Sequence, residues 1–192
     1  MPLSTDTSPR RLPLPYVFPD RIFSLTGRIL HDGGCVAIAN SVRAQDEAAA
    51  EPILITIDCP GGVGREADLL ATIIRFCRSP TIGLVITRAY SAGFNILQAC
   101  DLRMALQSSS LLAHHGSVPA STQALNSASH AEAFVKWKTN ALEYQQAAWD
   151  KKTEVLSSRT GLDPERVSRL LRQDRVLKPI EAFELGFLDA VI

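Results

Sequence analysis

Long apolar runs are what this sequence most plainly lacks. No stretch approaches the ~18 residues that a membrane-spanning helix needs, so no such span is expected. Charge of one sign is missing too, because 20 Lys and Arg balance 20 Asp and Glu. Without a basic cluster there is no electrostatic footprint for nucleic acid, and without an acidic run no solvating tail. Cysteine is sparse and scattered: Cys35, Cys59, Cys77 and Cys100 each sit in an apolar stretch, with no CxxC pair. That spacing reads as reduced core thiols of a cytosolic protein, not as a disulfide framework or a metal site. Histidine is limited to His31, His114, His115 and His130, which leaves few choices for a base at neutral pH. Pro2, Pro9, Pro13, Pro15 and Pro19 punctuate the start. They argue for an irregular arm, and against a signal peptide, over residues 1–19.

What is present reads as a single α/β domain of ordinary composition, large enough to bury roughly 70% of its unfolded surface. Arg21 to Thr26 is a first strand, closed by Gly27. Gly34 to Ala50 follows with helical spacing, Val36, Ile38, Ala39 and Val42 facing inward and Arg43, Asp46 and Glu47 outward. Ile53 to Ile57 has the near-continuous apolarity of a parallel strand buried on both faces. Cys59-Pro60-Gly61-Gly62 breaks it, and Ala67 to Arg78 is a second helix with Leu70, Ile73, Ile74 and Cys77 on one stripe. Thr81 to Thr87 is another buried strand, Ala92 to Cys100 a buried helix, and Leu102–Leu106 and Leu111–His115 two shorter strands. Alternation of this kind argues for a mostly parallel sheet.

Beyond Gly116 the pattern changes. Ser117 to Ser129 is Ser/Ala-rich and reads as a loop. His130 to Ser158 reads as one long helix with a narrow seam of Phe134, Trp137, Ala141, Tyr144, Ala148 and Val155, suited to packing on another element or another subunit. Asp163-Pro164-Glu165 opens a shorter helix with an N-cap and an N1 proline. Asp174 to Leu177 is a strand or turn, and Pro179 to Leu185 a last helix capped by Gly186, before a closing segment from Phe187 to Ile192.

The chemistry gathers at strand ends. Ser91 stands at a strand-to-helix junction with Ala89 and Gly93 two positions to either side, the pattern of a nucleophile elbow, although a serine there can also simply cap the helix. Gly62-Val63-Gly64-Arg65-Glu66-Ala67 matches the dinucleotide fingerprint GxGxxG/A. The next strand ends in Thr87-Arg88, however, where the ribose-binding acid should stand. The other reading is that Gly61 and Gly62 expose backbone N–H groups, one of them half an oxyanion hole. Neighbouring parallel strands would bring that turn and Ser91 to one sheet edge. A serine nucleophile needs a base oriented by a carboxylate. His31 and His130 read as surface residues; His114 and His115 end a strand and face opposite ways, and parity alone does not choose between them. The α/β-hydrolase order, with histidine last, does not fit, because no histidine follows His130.

Five stretches in order carry a resemblance: Asp20-Arg21-Ile22 to Gly27; Cys59-Pro60-Gly61-Gly62-Val63; Tyr90-Ser91-Ala92-Gly93; Leu111-Leu112-Ala113-His114; and Asp174-Arg175 through Glu181 to Asp189. Together, from about Asp20 to Ile192, they resemble the proteolytic subunit of the Clp protease family. The resemblance implies an α/β, ClpP/crotonase-like fold: a mostly parallel sheet head with a long protruding handle helix, residues 20–192 being one domain with its handle region at about 117–160. It implies Ser91 as nucleophile, His114 as general base and Asp174 as the carboxylate that orients it. The backbone N–H groups of Gly62 and Ala92 would form the oxyanion hole. It further implies a cytoplasmic serine endopeptidase without cofactor or metal. Such a subunit assembles into a heptameric ring, or a tetradecamer of two rings, and an AAA+ unfoldase feeds it unfolded polypeptide. No membrane or nucleic-acid partner is implied.

The departures are specific. His115 and Gly116 stand where the family has glutamine and proline, and the stretch after them lacks a glycine pair. Arg172-Gln173 replaces an acidic residue and arginine, and the Pro-rich arm lacks the usual axial-gate pattern. These changes bear on ring stacking and partner docking more than on the triad. Three other classes remain: a non-catalytic ring subunit or binding module, a crotonase-like acyl-CoA enzyme using Glu66 and Asp68, and a Ser/Lys dyad drawing on Lys136 or Lys138.

Overall fold

A computed structural model describes residues 15–115 and 128–192, with the side chains at 128–134 and 137 excepted. The readings for the start of the Pro-rich arm, for most of the Ser/Ala-rich stretch, and for the Phe134 and Trp137 side chains therefore lie outside the described residues. In chain order the elements are β1 (Ile22–Thr26), α1 (Gly34–Ala48), β2 (Ile53–Cys59), α2 (Gly64–Phe76), β3 (Thr81–Tyr90), α3 (Ala92–Leu97), β4 (Leu102–Ala105), β5 (Ser110–Leu112), α4 (Ala128–Thr160), α5 (Pro164–Arg172), β6 (Val176–Leu177), α6 (Pro179–Glu184) and β7 (Ala190–Val191). They fall into two compact units, Met1–Ala113 with Asp174–Ile192, and His114–Gln173.

The first unit is built on a seven-stranded sheet. Strands β1, β2, β3, β4 and β7 lie side by side and all pair in parallel. The long β3 has two neighbours on one edge. Its first half, from Ile82 to Val85, pairs with β4, and its last three residues, Arg88 to Tyr90, pair with β5. β6 then adds antiparallel to β5. Along β2 the side chains of Ile53, Ile55, Ile57 and Cys59 are fully buried and those between them half-buried. The period of two that a strand imposes is plain, and the second face is less sealed than the sequence suggested. Between Ile57 and Cys59 the register against β3 slips, so that Cys59 meets Ala89. Helix α3 packs closely on β3: a Cβ at Gly83 would lie 2.9 Å from both Cys100 Sγ and Leu97 Cδ1. Phe94 of that helix meets Phe187 edge-on at 5.4 Å.

Helix α1 buries Ala39 and Val42 as its spacing predicts and half-buries Ile38, but the rest of its buried stripe differs. Cys35, Ala39, Val42 and Asp46 are inside, and Val36 is exposed. Asp46, expected outside, accepts the backbone N–H groups of Arg78 at 2.9 Å and Ser79 at 2.7 Å, which compensates its burial. Ser79 in turn belongs to a buried network around Arg21. The Arg21 guanidinium donates to the carbonyls of Gln45 (2.7 Å), Ala49 (3.0 Å), Glu51 (2.6 Å) and Pro52 (3.2 Å), and to Ser79 Oγ (3.0 Å). A buried cation is here held by carbonyl dipoles at the C-terminal end of α1, where the helix macrodipole is negative. At the other edge Arg103, also buried, forks onto Asp189 at 2.9 and 2.6 Å and reaches Gln98 at 3.0 Å. Gly186 has φ 75, and Phe187 N–H donates to Ala182 O at 2.8 Å, the Schellman end that stops α6 and turns the chain into β7.

The second unit consists of α4, α5 and the segments flanking them. Helix α4 has 33 residues, about 50 Å, longer at both ends than the apolar spacing indicated. Asp163 caps α5 by accepting Arg166 N–H at 2.8 Å, with Pro164 at the first helical position, as its sequence dictates. α5 packs on α4, with Leu156, Val167 and Leu171 buried. Of the anticipated seam, Tyr144 and Ala148 are exposed in the single chain and Ala141 and Val155 are half-buried.

The Arg21 network makes a stability prediction. Arg21→Met should destabilise the fold by about 2–3 kcal/mol, because several buried carbonyls lose a charge-assisted partner. Arg21→Lys should recover little, since three donors cannot reproduce a planar fork of five. Urea unfolding midpoints measure both, and a shift in Arg21→Met no larger than that of the exposed Arg65→Met would refute the account.

Candidate active site

The backbone at the end of β3 is the most unusual in the first unit. Ser91 has φ 53 and ψ −113, outside the regions that L-residues prefer. Its N–H donates to Leu112 O at 2.9 Å and its carbonyl accepts Asn95 N–H at 3.1 Å, so the turn is bound on both sides. Although Ser91 sits at the N-cap of α3, its side chain makes no capping hydrogen bond. The plain capping role is thus not filled, and the half-buried hydroxyl is held on a strained strand-to-helix turn, as in a nucleophile elbow. Among the described residues only one other non-glycine has positive φ, Asp174 at 47°.

Glycines make room for this turn. A Cβ on Gly61 would lie 2.8 Å from Ser91 Cβ and 3.0 Å from Tyr90 O, and one on Gly93 would lie 2.9 Å from Cys59 Cβ. The register slip that sets Cys59 beside Ala89 therefore brings the turn after β2 directly against Ser91. Gly62, with φ 143, forms a parallel bridge with Ile29, and a Cβ there would lie 2.1 Å from Ile29 O. The bonds flanking the bridge are Ile29 N–H to Gly61 O and Val63 N–H to Ile29 O, both 3.0 Å. In parallel pairing the central residue's own N–H then points the other way, to the side of β2 on which β3 lies. This packing accounts for Gly62 of the dinucleotide-like pattern, whereas a Cβ on Gly64 would meet nothing within 4 Å. Arg88, at the strand end where the ribose-binding acid should stand, pairs with Asp58 at 3.3 Å.

Asp174 enters through register. Tyr90, Leu112 and Val176 form one row across β3, β5 and β6. Ser91 is one residue past that row, and Asp174 two residues before it on the antiparallel strand, so both leave the sheet at the same end. Arg175 beside Asp174 forks onto Glu181 of α6, with Nη1 to Oε2 at 3.1 Å, and the fork holds the Glu181 carboxyl below its ordinary range. Glu66, weighed for a crotonase-like site, accepts from or shares a proton with the exposed His31 at 3.2 Å. Lys136 and Lys138 are exposed on α4 in the other unit. Burial pushes the Cys35 and Cys77 thiols up to about 11 and raises Cys59 as well, so none of these three is a thiolate at neutral pH.

In the second unit His114 and His115 come first. β5 ends at Leu112, so the two histidines lie beyond the strand and strand parity is not what separates them. They are separated by packing. The His115 ring lies on Trp149 of α4, centroids 4.5 Å apart and planes at 34°. The His115 backbone N–H donates to Leu171 O at 3.4 Å, and the ring Nδ1 is buried without a hydrogen-bond partner. Burial, then the charges of Lys152 and Arg172 and neighbouring His114, push the His115 imidazole below its ordinary pKa, against a smaller opposing pull from Asp150. The sequence offered no signal for Trp149 or Lys152, because helical spacing does not say which neighbour a face will meet.

Two outcomes can be measured. Gly61→Ala should cut the rate at which Ser91 reacts with a fluorophosphonate by at least about tenfold, since the new methyl overlaps Ser91 and φ is 98° at that position. An unchanged labelling rate would show that the turn can move aside. For His115, the lowered folded pKa means that the unfolded chain binds the proton more readily. Stability is therefore full above about pH 6.5 and falls as the pH drops towards the folded value. Melting temperatures of the parent should fall more steeply than those of His115→Gln between about pH 8 and pH 5. Parallel curves would mean that His115 titrates as it does in the unfolded chain.

Known proteins agree with this architecture. ClpP1 from Listeria monocytogenes, solved as a point mutant, superposes with a TM-score of 0.73 at 18% identity, over 90% of this chain and 91% of that one. A profile of the Clp protease family matches residues 14–192. The chain, sheet and nucleophile-elbow-like turn included, belongs to the Clp protease family.

Proposed function

We propose that this protein is a serine endopeptidase of the ClpP type, with Ser91 as nucleophile, His114 as general base and Asp174 as the orienting carboxylate. The observation that carries the reading is backbone strain at two positions. Ser91 and Asp174, singled out from the sequence, are the two non-glycine residues with positive φ among the described residues. Strain of this kind costs about 1–3 kcal/mol per residue, persists only where the surroundings over-determine it, and clusters at functional sites. Further support comes from the row Tyr90–Leu112–Val176, which brings Ser91 and Asp174 to one sheet end. His114 follows Leu112 by only two residues along the chain.

In the reaction, Ser91 Oγ attacks a peptide carbonyl and gives its proton to His114. The imidazole then protonates the leaving amine, and water repeats the cycle to release the acid. Asp174 holds the imidazole in the tautomer that can accept the proton. The oxyanion would be held by the N–H groups of Gly62 and Ala92. The first is turned away from Ile29 by the bridge; the second begins α3, where no preceding helical carbonyl takes it up. Each such donor is worth about 10²–10³ in rate. No metal or cofactor takes part in this scheme.

The same proposal includes assembly of the chain into a heptameric ring, singly or as two stacked rings, in the cytoplasm. An AAA+ unfoldase would deliver unfolded polypeptide to it. Large exposed apolar side chains such as Phe76 and Tyr144 favour cover by other chains.

The test is direct. A fluorophosphonate should label Ser91, and Ser91→Ala should lose on the order of 10⁶ in kcat on a fluorogenic peptide. His114→Ala should be as deficient, while His115→Ala, which leaves the base in place, should lose no more than about 10²-fold. Parental hydrolysis in Ser91→Ala would end the proposal, and a defect in His115→Ala but not His114→Ala would reassign the base.

A further inference from the structure

The two histidines after β5 are gripped within their own unit from one face of α4. Lys152 Nζ donates to the His114 carbonyl at 2.8 Å. Three residues earlier on that helix, Trp149 packs against the His115 ring, centroids 4.5 Å apart and planes tilted by 34°. Residues three apart share a helix face, so the two contacts act as one surface. A third point of hold comes from α5, where Leu171 O accepts the His115 N–H at 3.4 Å. The carbonyl of the first histidine and the ring and N–H of the second are thus engaged, and none of these three contacts uses the His114 imidazole.

That distribution suits a base whose main chain must be held still. A segment just past a strand end is among the looser parts of a fold unless it is tied down. A catalytic group must be held within about 0.5 Å of its working geometry, and a misplacement of about 1 Å can cost 10²-fold. A lysine–carbonyl bond is charge-assisted and therefore stronger than a neutral one. We infer that Lys152 and Trp149 are positioning residues for the His114 base, forming a two-point clamp from α4 on the His114–His115 segment. The inference rests on the proposed role of His114.

The experiment uses the full chain and a fluorogenic peptide. Lys152→Met keeps the aliphatic stem and removes the donor; kcat should fall about 10- to 100-fold with KM unchanged. Lys152→Arg, which restores a cationic donor, should recover most of that loss. Trp149→Leu should show the same kcat-selective defect, and Lys151→Met, on an exposed position of α4, should match the parent. Melting temperatures separate positioning from folding. The clamp is overturned if Lys152→Met and Trp149→Leu keep parental kcat, if KM alone changes, or if the loss tracks a lower melting temperature and arginine does not rescue it. Failure of the underlying proposal looks different. A parent that neither hydrolyses peptide nor labels at Ser91, or a His114→Ala variant with parental activity, removes the base itself and the clamp with it.

Discussion

The backbone of Ser91 is the constraint on which the first unit depends. Holding a serine at φ 53 requires that every neighbour cooperate. The N–H is tied to β5 through Leu112, the carbonyl starts α3, and Gly61 omits the side chain that would strike Ser91 Cβ. The register slip between β2 and β3 delivers Gly61 to that point, and Gly62 leaves space for the Ile29 backbone alongside. Removing any one of these would let the turn relax to an ordinary helix start. A strained turn is kept by surroundings that over-determine it.

Two buried arginines secure the sheet that bears this turn. Arg21 closes the C-terminal end of α1 onto the start of β2 by donating to carbonyls, and Arg103 ties β4 to the segment entering β7 through a fork on Asp189. Neither touches the candidate site. Breaking either would strand charged or polar groups in a low dielectric, a cost larger than most single contacts supply. The motif residues Arg21 and Asp189 therefore read as structural, whereas Ser91, Asp174 and the glycines beside Ser91 lie at the candidate site.

Arg175, the neighbour of Asp174, shows the same economy at the surface. Its fork on Glu181 anchors the start of β6 to α6, so the strand that brings Asp174 to the sheet end is fixed at its first residues. β6 itself is only two residues long and pairs with a three-residue β5. Strands this short hold position because the elements on either side are pinned, not through their own ladder.

Much of this was legible in the sequence. Alternating apolar runs and helical stripes located the elements to within a few residues, because burial imposes periods of two and 3.6 whatever the fold. Asp163-Pro164 and Gly186 marked helix ends through local backbone chemistry, and the Ala89–Gly93 pattern marked the turn at Ser91. What the sequence could not decide were contacts between elements. It set Asp46 outside, because no local rule reveals that the N–H groups of Arg78 and Ser79 will need an acceptor 32 residues away. It ran a strand through His115, whereas the strand stops at Leu112 and the ring instead finds Trp149. It could suggest Ser91 and Asp174 as partners only by resemblance. Their positive φ values and the common row linking β3, β5 and β6 exist only once the chain has folded, because register is a property of paired strands and not of either strand alone.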